Sequence, residues 1–193
     1  MGIYVLFFGG YQSTQPNVDA WLTSAKAQRP DVDFDAIPYP AGADYKAHSA
    51  VSHFTQDQYD AVITQIGTSG ADQTYIVGHS SGCAIANKVD RDLIDHSHIT
   101  LVALDGFVPN GEQLGRSSTQ VWSAASGKAT SLNYTDLKKS VGSRLQVYPA
   151  TKDCTSKLAL HFSLVNDAAT DKIVDNAIKN GYRHCNANLV WLK

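Results

Sequence analysis

Cysteine is scarce. The chain has three in 193 residues, Cys83, Cys154 and Cys185, with no C-x-x-C pair among them, which argues against a structural zinc site and against a disulfide framework. A single Cys154–Cys185 bridge would suit an oxidising compartment, but the chain start has no charged n-region, long apolar h-region or cleavage site, so a reducing, cytoplasmic location is expected. Cys83, one turn into a helical run, reads as core. Long apolar runs are also missing. The longest, Ile3 to Phe8, is far short of a membrane span. Nor is there a run of one charge sign: 16 basic against 18 acidic residues leave a formal charge of -2, giving no nucleic-acid footprint and no polybasic membrane patch. A small or acyl-type ligand is the partner class that remains.

What the chain does have is an ordinary globular composition, 43% hydrophobic and 18% charged, enough for one domain over residues 1–193 with a sizeable core. Ile3-Tyr4-Val5-Leu6-Phe7-Phe8 ends at Gly9-Gly10, the pattern of a strand buried on both faces, as in parallel sheets. Pro16 stands where a first helical turn tolerates it, and Val18, Trp21, Leu22 and Ala25 recur at helical spacing up to Arg29-Pro30. The alternation then repeats. Strands are expected at Val32–Ile37, Thr74–Val77, Ile99–Leu104, Gln120–Ala124 and Arg144–Tyr148. Helices are expected at Gln56–Ile66, Ser81–Ile94, near Tyr134–Ser140 and at Ala168–Ile178, with an edge strand at Asn188–Leu192. Between the second strand and its helix lies a long loop, Tyr39 to Phe54, holding His48 and His53. No internal repeat or low-complexity linker interrupts this order. The fold class is therefore α/β, a mostly parallel sheet with helices on both faces, and ligands of such sheets bind beyond the carboxyl ends of the strands.

Gly78-His79-Ser80-Ser81-Gly82 matches G-x-S-x-G. In that motif small flanking residues let a tight strand-to-helix turn hold a serine in a strained, exposed position. Its context fits: Tyr75-Ile76-Val77 precede it as a strand, and Ala84, Ile85, Val89 and Leu93 follow on a helix. The amide of Ser81, next after the serine, is a donor for an oxyanion. Gly9-Gly10 lacks the lysine and spacing of a phosphate loop. His96-Ser97-His98 lacks the carboxylate or thiol neighbours of a metal site. No cofactor or metal is called for. Trp122 and Trp191 read as packing residues.

With these elements in order, the chain resembles the α/β-hydrolase superfamily, as a compact member without its antiparallel leading strands. The resemblance implies a serine hydrolase acting on a small acyl ester or thioester, free or carrier-bound, with Ser80 as nucleophile. It places the base at His161, because Arg144–Tyr148 followed by a loop and Leu160-His161-Phe162 is similar to the last core strand and histidine loop; His184 is the alternative. The usual acid position, after Gln120–Ala124, holds Ser126-Gly127-Lys128-Ala129 and no carboxylate. Thioesterase domains of peptide and polyketide synthases set the acid one strand earlier, which implies Asp105. The close acid-to-histidine spacing of cutinases implies Asp153 instead. Phe8-Gly9-Gly10-Tyr11 is similar to the superfamily's second oxyanion donor segment, with Gly10 as the donor and Tyr11 as the alternative. The short stretch between Asp105 and Thr119 implies an open pocket without a large helical lid. Two other readings share these residues: a binding module without turnover, and an acyltransferase in which a nucleophile other than water resolves the acyl-enzyme.

Overall fold

The computed structural model describes residues 2–95, 97–106, 119–150, 152 and 154–165. Within them six strands, β1 (Ile3–Phe8), β2 (Asp33–Ile37), β3 (Gln73–His79), β4 (Ile99–Leu104), β5 (Gln120–Ala125) and β6 (Leu145–Pro149), form one sheet in the order β2-β1-β3-β4-β5-β6. Every pairing between these strands is parallel. The helices are α1 (Gln15–Gln28), α2 (Ala47–His53), α3 (Gln56–Thr68), α4 (Cys83–Asp92), α5 (Tyr134–Val141) and α6 (Lys157–Phe162).

Side-chain alternation along a strand divides the core in two. Val5 and Phe7 of β1 point to one face, where they join Val77, Val102 and Leu104, Trp21 of α1 and Leu160 of α6. Leu6 and Phe8 point to the other, with Ile76 and Leu101, Val62 of α3 and Ile85 and Val89 of α4. A third cluster joins α5, through Leu137 and Val141, to Ala103 and Val121. β1 is buried along almost its whole length, as its unbroken apolar run predicts.

Helix starts follow local chemistry. Pro16 occupies the first turn of α1, where its missing N–H costs nothing. Thr55 and Gln58 cap α3 reciprocally: the Gln58 amide donates to Thr55 Oγ1, and the Thr55 amide donates to Gln58 Oε1.

Two elements depart from the sequence reading. The long loop after β2 contains α2, and His161 sits on the short helix α6 instead of in a loop. Cys83 is a buried free thiol. Cys154 is disulfide-bonded, which corrects the expectation of unbridged cysteines. Cys185, His184 and Trp191, with the helix and edge strand expected near the C-terminus, lie outside the described residues, as do Asp153 and 107–118. No described helix is long and apolar enough to cross a membrane.

Candidate active site

The strand register brings the candidate residues to one edge of the sheet. Phe8 of β1 lies opposite Gly78 of β3, and His79 lies opposite Leu104 of β4. Gly9-Gly10, Ser80 and Asp105 therefore leave neighbouring strands at their carboxyl ends, where a parallel sheet exposes its loops to a ligand.

Ser80 opens the one-turn 3₁₀ helix Ser80–Gly82 that leads into α4. Its backbone has φ +53°, a left-handed conformation that a residue with a Cβ adopts only when its surroundings impose it. They do so through close packing of the elbow on β1. A Cβ on Gly82 would press into the main-chain carbonyls of Phe8 and Gly9, so only glycine lets the turn approach that strand. Gly10 sits against the same serine: a Cβ there would lie 2.9 Å from Ser80 Cβ. The Gly9 amide is committed to the Ile37 carbonyl at 2.9 Å. Ser81 stands in the leading turn of its helix, where amides have no intrahelical acceptor, and its hydroxyl donates to the Tyr45 carbonyl at 2.7 Å. Gly10 and Ser81 are thus both adjacent to Ser80.

Asp105 and His161 meet directly. His161 Nδ1–H donates to Asp105 Oδ2 at 2.6 Å, and both side chains are withdrawn from solvent. The carboxylate is held by further donors. Ser123 Oγ–H and Ser131 Oγ–H reach Oδ1 at 2.7 and 2.6 Å, and the Asn133 amide reaches Oδ2 at 3.3 Å. Asn133 Nδ2–H also donates to the Asp105 carbonyl at 2.6 Å. Burial by itself would raise the Asp105 pKa. The hydrogen bond and charge interaction with His161, helped by Ser131 and Ser123, outweigh it and hold the pKa below the usual carboxylate value. Asp105 is therefore ionised at neutral pH and fixes the imidazole with its proton on Nδ1, leaving Nε2 as the basic nitrogen.

The middle residue of the motif, His79, is the member that sequence reasoning left without a role. Its Nε2 lies 3.0 Å from the main-chain carbonyl of His161. A carbonyl only accepts, so Nε2 carries the proton. The two imidazoles stand 4.5 Å apart. Burial, then the proximity of His161, push the His79 pKa down to about 3 against the raising effect of that hydrogen bond. His79 is accordingly a neutral spacer between β3 and α6. The available signal was a polar residue ending a strand buried on both faces.

Ser80 and His161 share the lining of two cavities. Among the described residues the Ser80 hydroxyl makes no hydrogen bond, a slack that is common in the absence of substrate. Cys83 is excluded as a nucleophile, because its thiol is buried, donates to the Gly78 carbonyl at 3.0 Å and has its pKa raised by burial. The place where the superfamily usually keeps its acid is put to another use: Ser126 Oγ–H donates to the Cys154 carbonyl, clamping the chain that leads into α6. His53 Nδ1 bonds the Ser49 carbonyl within α2, and His48 borders a separate groove with Lys88 and Arg91. Neither faces Ser80. The rival residues Asp153 and His184 lie outside the described part of the chain.

No family model matches this sequence, and no curated protein matches it. Solved structures do match in shape. A protein of Lactobacillus plantarum WCFS1 named as a cell surface hydrolase aligns over 95% of this chain and 98% of its own, with a TM-score of 0.51 at 13% identity. Esterase PE8 aligns over 91% of each chain, with a TM-score of 0.52 at 15% identity. A CIB-like hydrolase of Thermoplasma acidophilum aligns over 92% of this chain and 86% of its own, with a TM-score of 0.51 at 13% identity.

The fold is that of the α/β-hydrolases. In this α/β-hydrolase fold the elbow follows β3, Asp105 follows β4 and His161 follows β6, so serine, acid and histidine run in the chain order that the fold uses for its triads.

Proposed function

We propose that the chain is a serine hydrolase that cleaves an ester or thioester through an acyl-enzyme on Ser80. The observation that carries this reading is the buried Asp105–His161 pair beside a serine held at positive φ. The solved structures of the same fold named as an esterase and as hydrolases support it.

Nε2 of His161 takes the Ser80 proton as Oγ bonds to the acyl carbon. Asp105 stabilises the imidazolium that forms without itself taking the proton. The amides of Ser81 and Gly10 hold the oxyanion of the tetrahedral intermediate. The bond to the leaving oxygen or sulfur then breaks, and His161 returns its proton to that atom. Water repeats the sequence on the acyl-enzyme: its oxygen bonds to the acyl carbon, His161 accepts its proton, and that proton goes back to Ser80 as the acid departs. No step calls for a metal or an organic cofactor.

The substrate is a small acyl ester or thioester, free or carrier-bound. The disulfide at Cys154 favours an oxidising compartment over the cytoplasm.

The deciding experiment is labelling with a fluorophosphonate probe, read by intact mass and peptide mapping. One adduct on Ser80 is expected, lost together with turnover in Ser80→Ala. A folded wild-type protein that resists the probe, or carries it elsewhere, removes the serine-hydrolase reading and leaves a binding module on the same fold.

A further inference from the structure

Two cavities of very different size share Ser80 and His161. One, about 40 Å³, is walled by Phe7, Val18, Trp21, Phe162 and Val165. The other, about 580 Å³, spreads over Tyr45, Leu132 and Leu158, with Tyr11 and Phe162 bordering both. From this contrast we infer that the enzyme hydrolyses short-chain acyl esters or thioesters of bulky alcohols or thiols, with the acyl group, of about two to four carbons, seated in the small cavity. The inference rests on the serine-hydrolase reading and adds the substrate class to it.

Size sets the acyl limit. A water-sized group needs on the order of 10–15 Å³ of such space, so about three such groups fill the cavity. Its walls belong to the core. Phe7 lies on β1, Val18 and Trp21 on α1, and all three are buried. The Trp21 ring stacks on Phe7 at 4.2 Å between centroids and meets Phe34 edge-on at 5.8 Å. Enlarging the cavity on that side would therefore break core packing on the sheet face, which works against a longer chain.

Reaction order assigns the two cavities. The acyl group stays covalently attached to Ser80 after the bond to the leaving group breaks, whereas the alcohol or thiol must depart and water must arrive. A narrow site suits the group that stays, and a broad one suits the group that leaves. The larger cavity is the broad one, and Tyr45, Leu132 and Leu158, which line it and not the smaller, are 64, 49 and 42% exposed. These side chains present an apolar surface for a bulky leaving group, between polar groups such as Asn133 and Asp136.

The test is a pair of substrate series on the intact wild-type enzyme. With p-nitrophenyl acetate, butyrate, hexanoate and octanoate, kcat/KM should peak at two to four carbons and fall at least about 100-fold by octanoate, the scale on which an apolar pocket discriminates by added methylenes. With acetate esters of phenol, naphthol and larger alcohols it should vary less than about tenfold. Val18→Ala should raise the hexanoate-to-acetate ratio several-fold, and Val18→Ile should lower the butyrate-to-acetate ratio. An octanoate rate within about threefold of acetate, or tolerance of long acyl chains with rejection of bulky alcohols, overturns the assignment even if the Val18 variants fail to fold. Fluorophosphonate labelling of the same preparation separates the two levels. A labelled Ser80 with a flat or reversed chain-length profile sinks the pocket reading alone, and an unlabelled one sinks the hydrolase reading with it.

Discussion

The Nε2–H of His79 donates to the backbone carbonyl of His161 at 3.0 Å, so the residue before the proposed nucleophile grips the residue proposed to activate it. The contact joins two segments 82 positions apart in the chain and sets the distance between the end of β3 and α6. Because His79 is neutral at working pH, it holds its partner without competing for the proton.

His79→Phe should keep the ring volume and lose the donor. The expected outcome is a drop in kcat of about 10- to 100-fold, roughly 1.4 to 2.7 kcal/mol of barrier, with KM little changed, since no substrate contact is removed. His79→Gln, which can again donate, should recover a large part of the loss. Steady-state kinetics on variants shown to be folded by circular dichroism would check this; an unchanged kcat in His79→Phe would deny the positioning role.

Asp105→Asn should cost up to about 10⁴-fold in turnover, as the equivalent change does in serine proteases, by removing the charge that fixes the imidazole tautomer and stabilises its protonated form. Asp153→Asn should cost less than about tenfold, a ceiling near 1.4 kcal/mol. The reverse ranking would transfer the acid role to Asp153. Ser131→Ala, which takes one donor from Asp105 Oδ1, should produce a smaller loss and some destabilisation, about 1 to 3 kcal/mol for a hydrogen bond to a buried charge.

Acid should destabilise the fold through the buried His79 and Asp105. The His79 pKa is depressed in the folded state to about 3, chiefly by burial, from about 6.5 when unfolded. Stability is therefore complete above about pH 6.5 and declines as pH falls toward 3, because the unfolded chain binds a proton that the folded chain refuses. Asp105, also depressed, adds loss in the same direction at lower pH. Denaturant titrations from pH 8 to 4 should show the decline, at up to about 1.4 kcal/mol per pH unit for one group. His79→Phe should flatten it. A wild-type curve already flat between pH 6.5 and 4 would mean that His79 titrates freely.

Cys154 is disulfide-bonded and Cys83 is a free buried thiol. One disulfide among three cysteines leaves a single thiol. Thiol titration of the denatured protein should find one reactive group without reductant and three after reduction. Three groups in both conditions would restore the cytoplasmic expectation.

The legible parts of the molecule were those whose signal is local. β1 announces itself as an unbroken apolar run, Ser80 as a spaced pair of glycines around a serine, and α1 as Val18, Trp21 and Ala25 at helical spacing below a proline. α2 was missed because its seven residues carry two buried small side chains, Ser49 and Ala50, too few to set up a helical period. His161 was expected in a loop because α6 has only six residues and its buried members belong to a core assembled from distant strands. The support of Asp105 was not foreseen, since Ser123, Ser131 and Asn133 become one cluster only when β4 and β5 lie side by side. The trace of it is Ser123 itself, a hydroxyl set between Val121 and Ala124 on a buried strand.

On the proposed function, the left-handed backbone at Ser80 means that the best-folding version of this protein is not its working version. A residue with a Cβ bears about 1 to 2 kcal/mol for that conformation, and glycine escapes most of it. Selection for heat resistance alone would therefore draw the position toward glycine and remove the proposed nucleophile, whereas selection that also demands the serine must find its gains elsewhere, in the helices flanking the sheet.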